Sequence, residues 1–584
     1  MRACRFVIAL FAWQAALAAV AAQAVPAVLP SSEQRLPNGQ QLLVLCYHDV
    51  VTTRGEGADP LSVDAATLAA HLNWLRSEGY QPIDLDALMA AYAGARRLPE
   101  RAVLLTFDDG YLSLYTQVFP LLRAFRFPAV AALVGRWMEI PAGQAVPYSE
   151  DAQRPREQFI SWGQAREMQS SGLIEFASHS WDLHQGIAGN PAGSLEPAAT
   201  TRAFLPGRGY ETDSDWAERI RSDLQRNSAL LAQQLGRHPR AIVWPYGRYN
   251  ARSEQIAREL GMPIGLTLDS GPPERASPIG RIRRLLVDGN PATIPFARLV
   301  RTQEPAPTIH FVQLELDRLA DSGGAELDRR LKELLEQIRR LGVETVVLAA
   351  FADPGPSGRI ESVYFPNRHL PVRADLMNRV AWAIATSTQA RVYAWLPLDG
   401  FALDSAAGDF HAQIGDLFED LGRAAYLQGL LLGSRTAGDS LEAVSAQAAA
   451  VAERTRAWQP QLRTALKLTT AQGNPRPEQI ARVLDQHEYL QADLDADRGP
   501  HGDGRLIATL RSMPGVPART LIGLAAPSGA AANAGTHAQA LQRDGFPNVG
   551  VFGADLNASA TEFAELRRTL SLRAQPAIPA RRGG

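Results

Sequence analysis

Short apolar runs separated by stretches of helical periodicity fill most of the chain. In the first half the runs at 41–46, 102–107, 129–134, 174–178, 241–244 and 264–268 predict strands. The spacing of apolar positions at 65–78, 112–125 and 216–235 predicts helices between them. Strand and helix alternate, which is the pattern of a parallel sheet covered by helices. Two stretches, 138–158 and 185–215, are rich in glycine, proline and polar residues and predict surface insertions beside the strand ends.

A polar, proline-containing link at 302–308 interrupts the pattern. Beyond it apolar runs recur near 309–316, 344–351, 391–398, 428–432, 462–468, 488–492, 519–525 and 548–553. Helical stretches such as 325–341, 374–387, 439–458 and 560–571 separate them. Eight such alternations predict a (β/α)8 barrel. The chain thus divides into an α/β region at 35–301, a (β/α)8-like region at 309–573 and a loose tail at 574–584.

The 584 residues are too many for one ordinary core. The hydrophobic fraction of 46% excludes wholesale disorder, and a net charge of -2 argues against a nucleic-acid-binding protein. Nearly all cations are arginine; only Lys332 and Lys467 are lysine. Arg2 and Arg5, the apolar stretch 6–20 and Ala22-Gln23-Ala24 form a signal peptide over 1–24. Gln14 interrupts the apolar run, which is short for a bilayer span, and no lipobox cysteine follows it. The expectation is an exported, periplasmic chain with no membrane span after cleavage. Removal of Cys4 would leave Cys46 alone, so no internal disulfide and no cysteine-based zinc site is available. Any metal must be held by His, Asp or Glu.

Four short segments carry candidate chemistry. Thr106-Phe107-Asp108-Asp109-Gly110 follows a strand, so its two carboxylates can point in different directions: one to a cation, the other to a water. A solvated turn is the alternative. His179 and His184, in Ser178-His179-Ser180-Trp181-Asp182-Leu183-His184, are five residues apart. On a helix that spacing splays them, but on a loop after a strand both can reach one ion. One core and one exposed histidine fits the segment equally well. Two histidines and an aspartate form an open facial set suited to zinc, cobalt, nickel or ferrous iron. Pro245-Tyr246-Gly247 makes a turn after a strand whose backbone N–H can face a substrate oxygen, and His48 before Asp49 can serve as a general acid.

Together these segments resemble the metal-dependent polysaccharide deacetylases of carbohydrate esterase family 4, which have a distorted (β/α)7 barrel. Three departures set the chain apart. The histidine spacing is one residue longer, Val243 stands where the family has arginine, and the histidine motif that usually comes last is found first, at His48. All three fit the PgaB-type branch that deacetylates poly-β-1,6-N-acetyl-glucosamine, in which a glycoside-hydrolase-like barrel follows. Phe351-Ala352-Asp353-Pro354, Phe365-Pro366-Asn367-Arg368 and Tyr393-Ala394-Trp395 resemble that second barrel. The resemblance implies Asp109, His179 and His184 as metal ligands, Asp108 as base, His48 as acid and the Tyr246 N–H as an oxyanion donor. It implies Asp269 as an orienting residue, the polymer as substrate, biofilm exopolysaccharide maturation as the role and an outer-membrane export porin as partner.

In the second barrel an acidic signature would be expected after the fourth strand, but Gly433-Ser434-Arg435-Thr436 stands there. The expectation is a barrel in which hydrolysis is lost or weak. Either it is a scaffold, or Asp353, Trp395 and Asp399 shape a groove for the cationic product. The competing functional readings are a peptidoglycan or chitin deacetylase and a non-catalytic polysaccharide-binding export protein.

Overall fold

The computed structural model describes residues 31–37, 40–149, 152–269, 277–301, 308–352, 357–388, 390–404, 406, 408–435, 439–468, 474–494, 504–557 and 559–571. The expected leader at 1–24, most of the expected link at 302–308, Asp353 and the expected tail at 574–584 lie outside them.

The first barrel is built on β1 (Leu42–Tyr47), β2 (Ala102–Phe107), β3 (Ala129–Leu133), β4 (Ile174–Ser178), β5 (Ala241–Val243), β6 (Ile264–Thr267), β7 (Ile282–Arg283) and β8 (Leu285–Leu286). The sheet order is β7-β6-β5-β4-β3-β2-β1-β8, with all these pairs parallel. Its two ends are consecutive dipeptides separated only by Arg284, so the seventh strand position is one broken strand and the sheet nearly closes. This is the distorted (β/α)7 architecture expected. The β7–β8 segment was not legible as a strand, because Arg281, Arg283 and Arg284 interrupt its apolar pattern.

Strand alternation places the site. Leu42 and Val44 share one apolar cluster with Ala102, Leu104, Val130, Ala132 and Val243, while Leu43, Leu45, Val103 and Leu105 pack into another. Continuing the first parity to the strand ends puts Cys46, Thr106 and Asp108 on the same side as Leu42 and Leu104. Register completes the arrangement: Tyr47 pairs with Phe107, and the Asp108 N–H donates to the Tyr47 carbonyl at 2.9 Å. The residues following β1 and β2 are therefore neighbours although about 60 positions separate them.

The second barrel closes fully from β9 (His310–Leu314), β10 (Thr345–Ala349), β11 (Arg391–Trp395), β12 (Gly429–Leu432), β13 (Arg463–Leu468), β14 (Tyr489–Leu494), β15 (Thr520–Ala525) and β16 (Asn548–Phe552). One continuous core fills it and the space beneath its helices. All eight predicted strands are present. The stretch 138–158 holds the hairpin Ala145–Pro147 with Gln153–Pro155. The stretch 185–215 holds two more, Gly186–Ala188 with Leu195–Pro197 and Phe204–Leu205 with Gly209–Tyr210. These latter hairpins touch the second barrel: Asn190 donates to Asn378 at 2.6 Å and Tyr210 to Asp375 at 2.5 Å. No helix of the described residues is long and apolar enough to cross a membrane.

Candidate active site

The candidate residues meet where the strands of the first barrel end. Asp108 and Asp109 follow β2, His48 follows β1, His179 follows β4 and Tyr246 is the third residue after β5. Asp109 and Gly110 both have positive φ, 72° and 71°, which turns the chain sharply and points the two carboxylates apart. A Cβ on Gly110 would come within 2.6 Å of the Leu133 side chain, so only glycine fits there.

Asp109, His179 and His184 are all buried, and one ligand atom from each lies within 4.8 Å of the others. Asp109 Oδ1 is 3.4 Å from His179 Nε2 and 3.6 Å from His184 Nε2. That carboxylate oxygen is buried and has no hydrogen-bond partner. An orphaned, inward carboxylate oxygen facing two imidazole nitrogens fits a divalent cation. His179 Nδ1 is 2.7 Å from the Val243 carbonyl, which can only accept. The proton therefore sits on Nδ1, and the Nε2 lone pair faces Asp109 and the ion position. Burial holds His184 down to about 4, so it is neutral and able to ligate near neutral pH. Burial opposes ionisation of Asp109, but the histidines around it outweigh burial and hold the carboxyl well below the usual range.

Asp108 occupies a second, adjacent cluster. Its Oδ1 accepts from Arg284 Nη1 at 2.7 Å, and its Oδ2 is 3.5 Å from Cys46 Sγ and 3.9 Å from His48 Nε2. Arg284 is fully buried and also donates to Thr106 Oγ1 at 3.1 Å. Burial pushes Asp108 up, but Arg284, His179 and His48 together hold it below the ordinary value, so it stays ionised. The sequence shows Val243 where a motif arginine would stand. In three dimensions a guanidinium reaches Asp108 from the broken strand, and Val243 instead supplies its carbonyl to His179.

Tyr246 has φ 57°, a left-handed conformation rare outside glycine, and its ring lies 4.5 Å from that of His184. Its strained turn holds that ring against one of the candidate metal ligands. Tyr148, which sequence reasoning missed, donates to Asp109 Oδ2 at 3.0 Å from one of the insertion hairpins. Nothing in the local sequence distinguishes it from a surface tyrosine. The carboxylate of Asp223 accepts from the N–H groups of Trp181 and Asp182, at 2.8 and 2.7 Å, and so holds the loop between the two histidines.

Three expectations take a different form. Asp269 accepts from Tyr249 at 2.7 Å, and burial pushes it up to about 6; that tyrosine, not a catalytic group, is its partner. Trp395 is buried with Lys467 Nζ 5.1 Å above its ring, and Asp399 accepts from the Ser434 hydroxyl and from the Arg435 N–H. Trp395 is thus enclosed, and the half-buried Asp399 is already engaged by two donors, so among the described residues the two do not form an open acidic groove.

The comparisons with known proteins match this arrangement. A family model described as polysaccharide deacetylase matches residues 95–265, and one described as hypothetical glycosyl hydrolase family 13 matches 313–413. The poly-β-1,6-N-acetyl-D-glucosamine N-deacetylase of Escherichia coli K12 is 35% identical over 507 residues, covering 80% of this chain and 73% of that protein. The BpsB deacetylase domain from Bordetella bronchiseptica is 44% identical, covering 42% of this chain and 96% of its own, with a TM-score of 0.38. The PgaB (BpsB) glycoside hydrolase domain from the same organism is 23% identical, covering 46% of this chain and 99% of its own, with a TM-score of 0.40.

Proposed function

The chain belongs to the poly-β-1,6-N-acetyl-D-glucosamine N-deacetylase family, hydrolases of amide bonds, and on that premise we propose that its first barrel deacetylates exported β-1,6-linked N-acetyl-glucosamine polymer. The observation that carries the reading is the pair of buried clusters side by side: Asp109, His179 and His184 with an orphaned carboxylate oxygen, and Asp108 with His48 and Arg284.

The roles follow from the chemistry of each group. Asp109, His179 and His184 would hold a divalent ion, which when bound supplies Lewis acidity and lowers the pKa of water. Asp108, kept ionised by Arg284, accepts the proton of the water that attacks the acetamide carbonyl carbon. The Tyr246 N–H stabilises the oxygen that gains charge. As the C–N bond breaks, His48, 3.9 Å from Asp108, protonates the leaving nitrogen. Acetate and a glucosamine unit result. The donor set suits zinc, cobalt, nickel or ferrous iron. The leader at 1–24 supports a periplasmic location, and an exported polymer calls for an outer-membrane porin as partner.

The test is acetate release from β-1,6-linked N-acetyl-glucosamine oligomers by the mature chain with added divalent metal, beside Asp109→Ala and His179→Ala. Metal-dependent release that both substitutions abolish is the expected result. Release from chitin or peptidoglycan fragments only would move the substrate to that polymer. No release and no bound metal would make the protein a binding protein.

A further inference from the structure

The hairpin of Ala145–Pro147 with Gln153–Pro155 brings Tyr148 to the metal-binding cluster, and its two faces differ. Ala145, Pro147, Gln153 and Pro155 are exposed, while Val146 is fully buried beside Tyr111, Trp137 and Phe159. Val146 pairs directly with Arg154, so the pleat sends the Arg154 side chain to the same inner face. There Arg154 Nη2 donates to Asp59 Oδ2 at 2.6 Å, and the guanidinium lies 4.5 Å from the centre of the Tyr148 ring. Asp59 belongs to the loop that follows His48 and the short strand Val50–Val51. Its Oδ1 accepts from the Leu61 N–H at 2.9 Å, and the neighbouring Pro60 carbonyl accepts from the Gly289 N–H at 2.7 Å, so the carboxylate is held in place.

We propose that Arg154 is a positioning residue of the metal centre: tied to Asp59 and stacked on Tyr148, it clamps the tyrosine hydroxyl onto Asp109. This role rests on the metal-dependent deacetylase reading above and adds to it the group that fixes the outer hydrogen bond of a ligand. An unbroken line of contacts runs from the loop after His48 to the cluster: Asp59 to Arg154 at 2.6 Å, Arg154 to the Tyr148 ring at 4.5 Å, and the Tyr148 hydroxyl to Asp109 Oδ2 at 3.0 Å. The last contact decides how Asp109 is presented. With Oδ2 taken by Tyr148, the other oxygen, Oδ1, is left bare between the His179 and His184 nitrogens. Tyr148 needs such support. It stands at the closing turn of the hairpin, where its N–H and that of Ser149 both donate to the Ala152 carbonyl at 3.0 Å. Burial of Val146 anchors the base of the hairpin, while the Tyr148 ring meets Trp137 at 5.3 Å and Arg154. An exposed ion pair would hold little, but these side chains are only 24% and 27% exposed, and a planar guanidinium can donate to a carboxylate and cover an aromatic face at once.

The experiment titrates the full mature chain with zinc against a competing chelator, as wild type, Arg154→Met, Asp59→Ala, Tyr148→Phe and the double variant Arg154→Met with Tyr148→Phe. Arg154→Met and Asp59→Ala are each expected to weaken zinc retention roughly tenfold, the lower end of the range for groups that orient a ligand. Tyr148→Phe removes the hydroxyl through which Arg154 acts, so the double variant is expected to match Tyr148→Phe alone. Excess zinc is expected to return kcat for acetate release from a β-1,6-linked N-acetyl-glucosamine pentamer to the wild-type level in Arg154→Met, with KM unchanged; a kcat that stays low at every zinc concentration would make Arg154 a packing residue. Zinc retention within about twofold of the wild type in either single variant, or a full further loss in the double variant, overturns the clamp while leaving the deacetylase standing. A wild type that holds no zinc, cobalt or nickel and releases no acetate refutes the metal centre and the clamp with it.

Discussion

Removing Arg284 isolates the most consequential interaction in the first barrel. The guanidinium and the Asp108 carboxylate are 0% and 3% exposed and bonded at 2.7 Å. With charge centres roughly 4 Å apart, their attraction is about 4 kcal/mol at an effective dielectric constant near 20. Breaking a buried pair from one side typically costs about 3–5 kcal/mol, because the remaining charge is left uncompensated. Arg284→Met is therefore expected to destabilise the first barrel by about 4 kcal/mol, lowering its melting transition by roughly 8–16 °C at about 2–4 °C per kcal/mol. Arg284 is itself incompletely satisfied, since its Nε and Nη2 are buried without partners. Removing both charges should then cost far less than removing one, and Arg284→Met with Asp108→Asn is expected to recover most of the lost stability while acetate release stays absent. Denaturant unfolding of the four proteins of this cycle gives the coupling directly. A single Arg284→Met variant within about 1 kcal/mol of the wild type, or a double variant no more stable than the single, would show that the pair does not hold Asp108 as argued.

Tyr148→Phe removes the hydrogen bond that orients Asp109 and is expected to weaken metal retention roughly 10- to 100-fold, read by competition with a chelator; unchanged affinity would make Tyr148 a packing residue. Glu196, beside Asn378 and Arg248, is pushed up to about 7 by burial, so the folded chain keeps a proton that the unfolded chain loses from about pH 4.5 upward. Its contribution to stability therefore falls as pH rises from about 4.5 to 7 and levels off above that. Denaturation between pH 5 and 8 should show a steeper loss for the wild type than for Glu196→Gln, and parallel curves would contradict the assignment. The second barrel carries Ser434 and Arg435 after β12, where hydrolysis needs an acid, so mass spectrometry of partly deacetylated polymer incubated with it should show no change in chain length; robust cleavage would overturn this.

Legibility differed between levels for physical reasons. The run that became β2 carried its boundaries in the sequence, because a strand covered on both faces is almost wholly apolar. Asp108, Asp109, His179, His184 and His48 were legible because catalytic groups sit where such runs stop. Arg284 was not, because a single buried arginine on a two-residue strand has no local signature; its meaning is its distance to Asp108. Tyr148 was hidden in the same way, as one polar-looking residue in a hairpin that folds back over the site.

The sequence by itself determined two α/β barrels, the strand ends that bear the chemistry and the residue types able to hold an ion and move a proton. Periodicity and short motifs are local, and local physics writes them into neighbouring residues. Tertiary structure alone decided which guanidinium keeps Asp108 charged, which tyrosine steadies Asp109, and that Trp395 and Asp399 are spent on internal contacts. Those outcomes depend on register and packing between segments far apart in the chain, where burial turns a distance of a few ångströms into several kcal/mol.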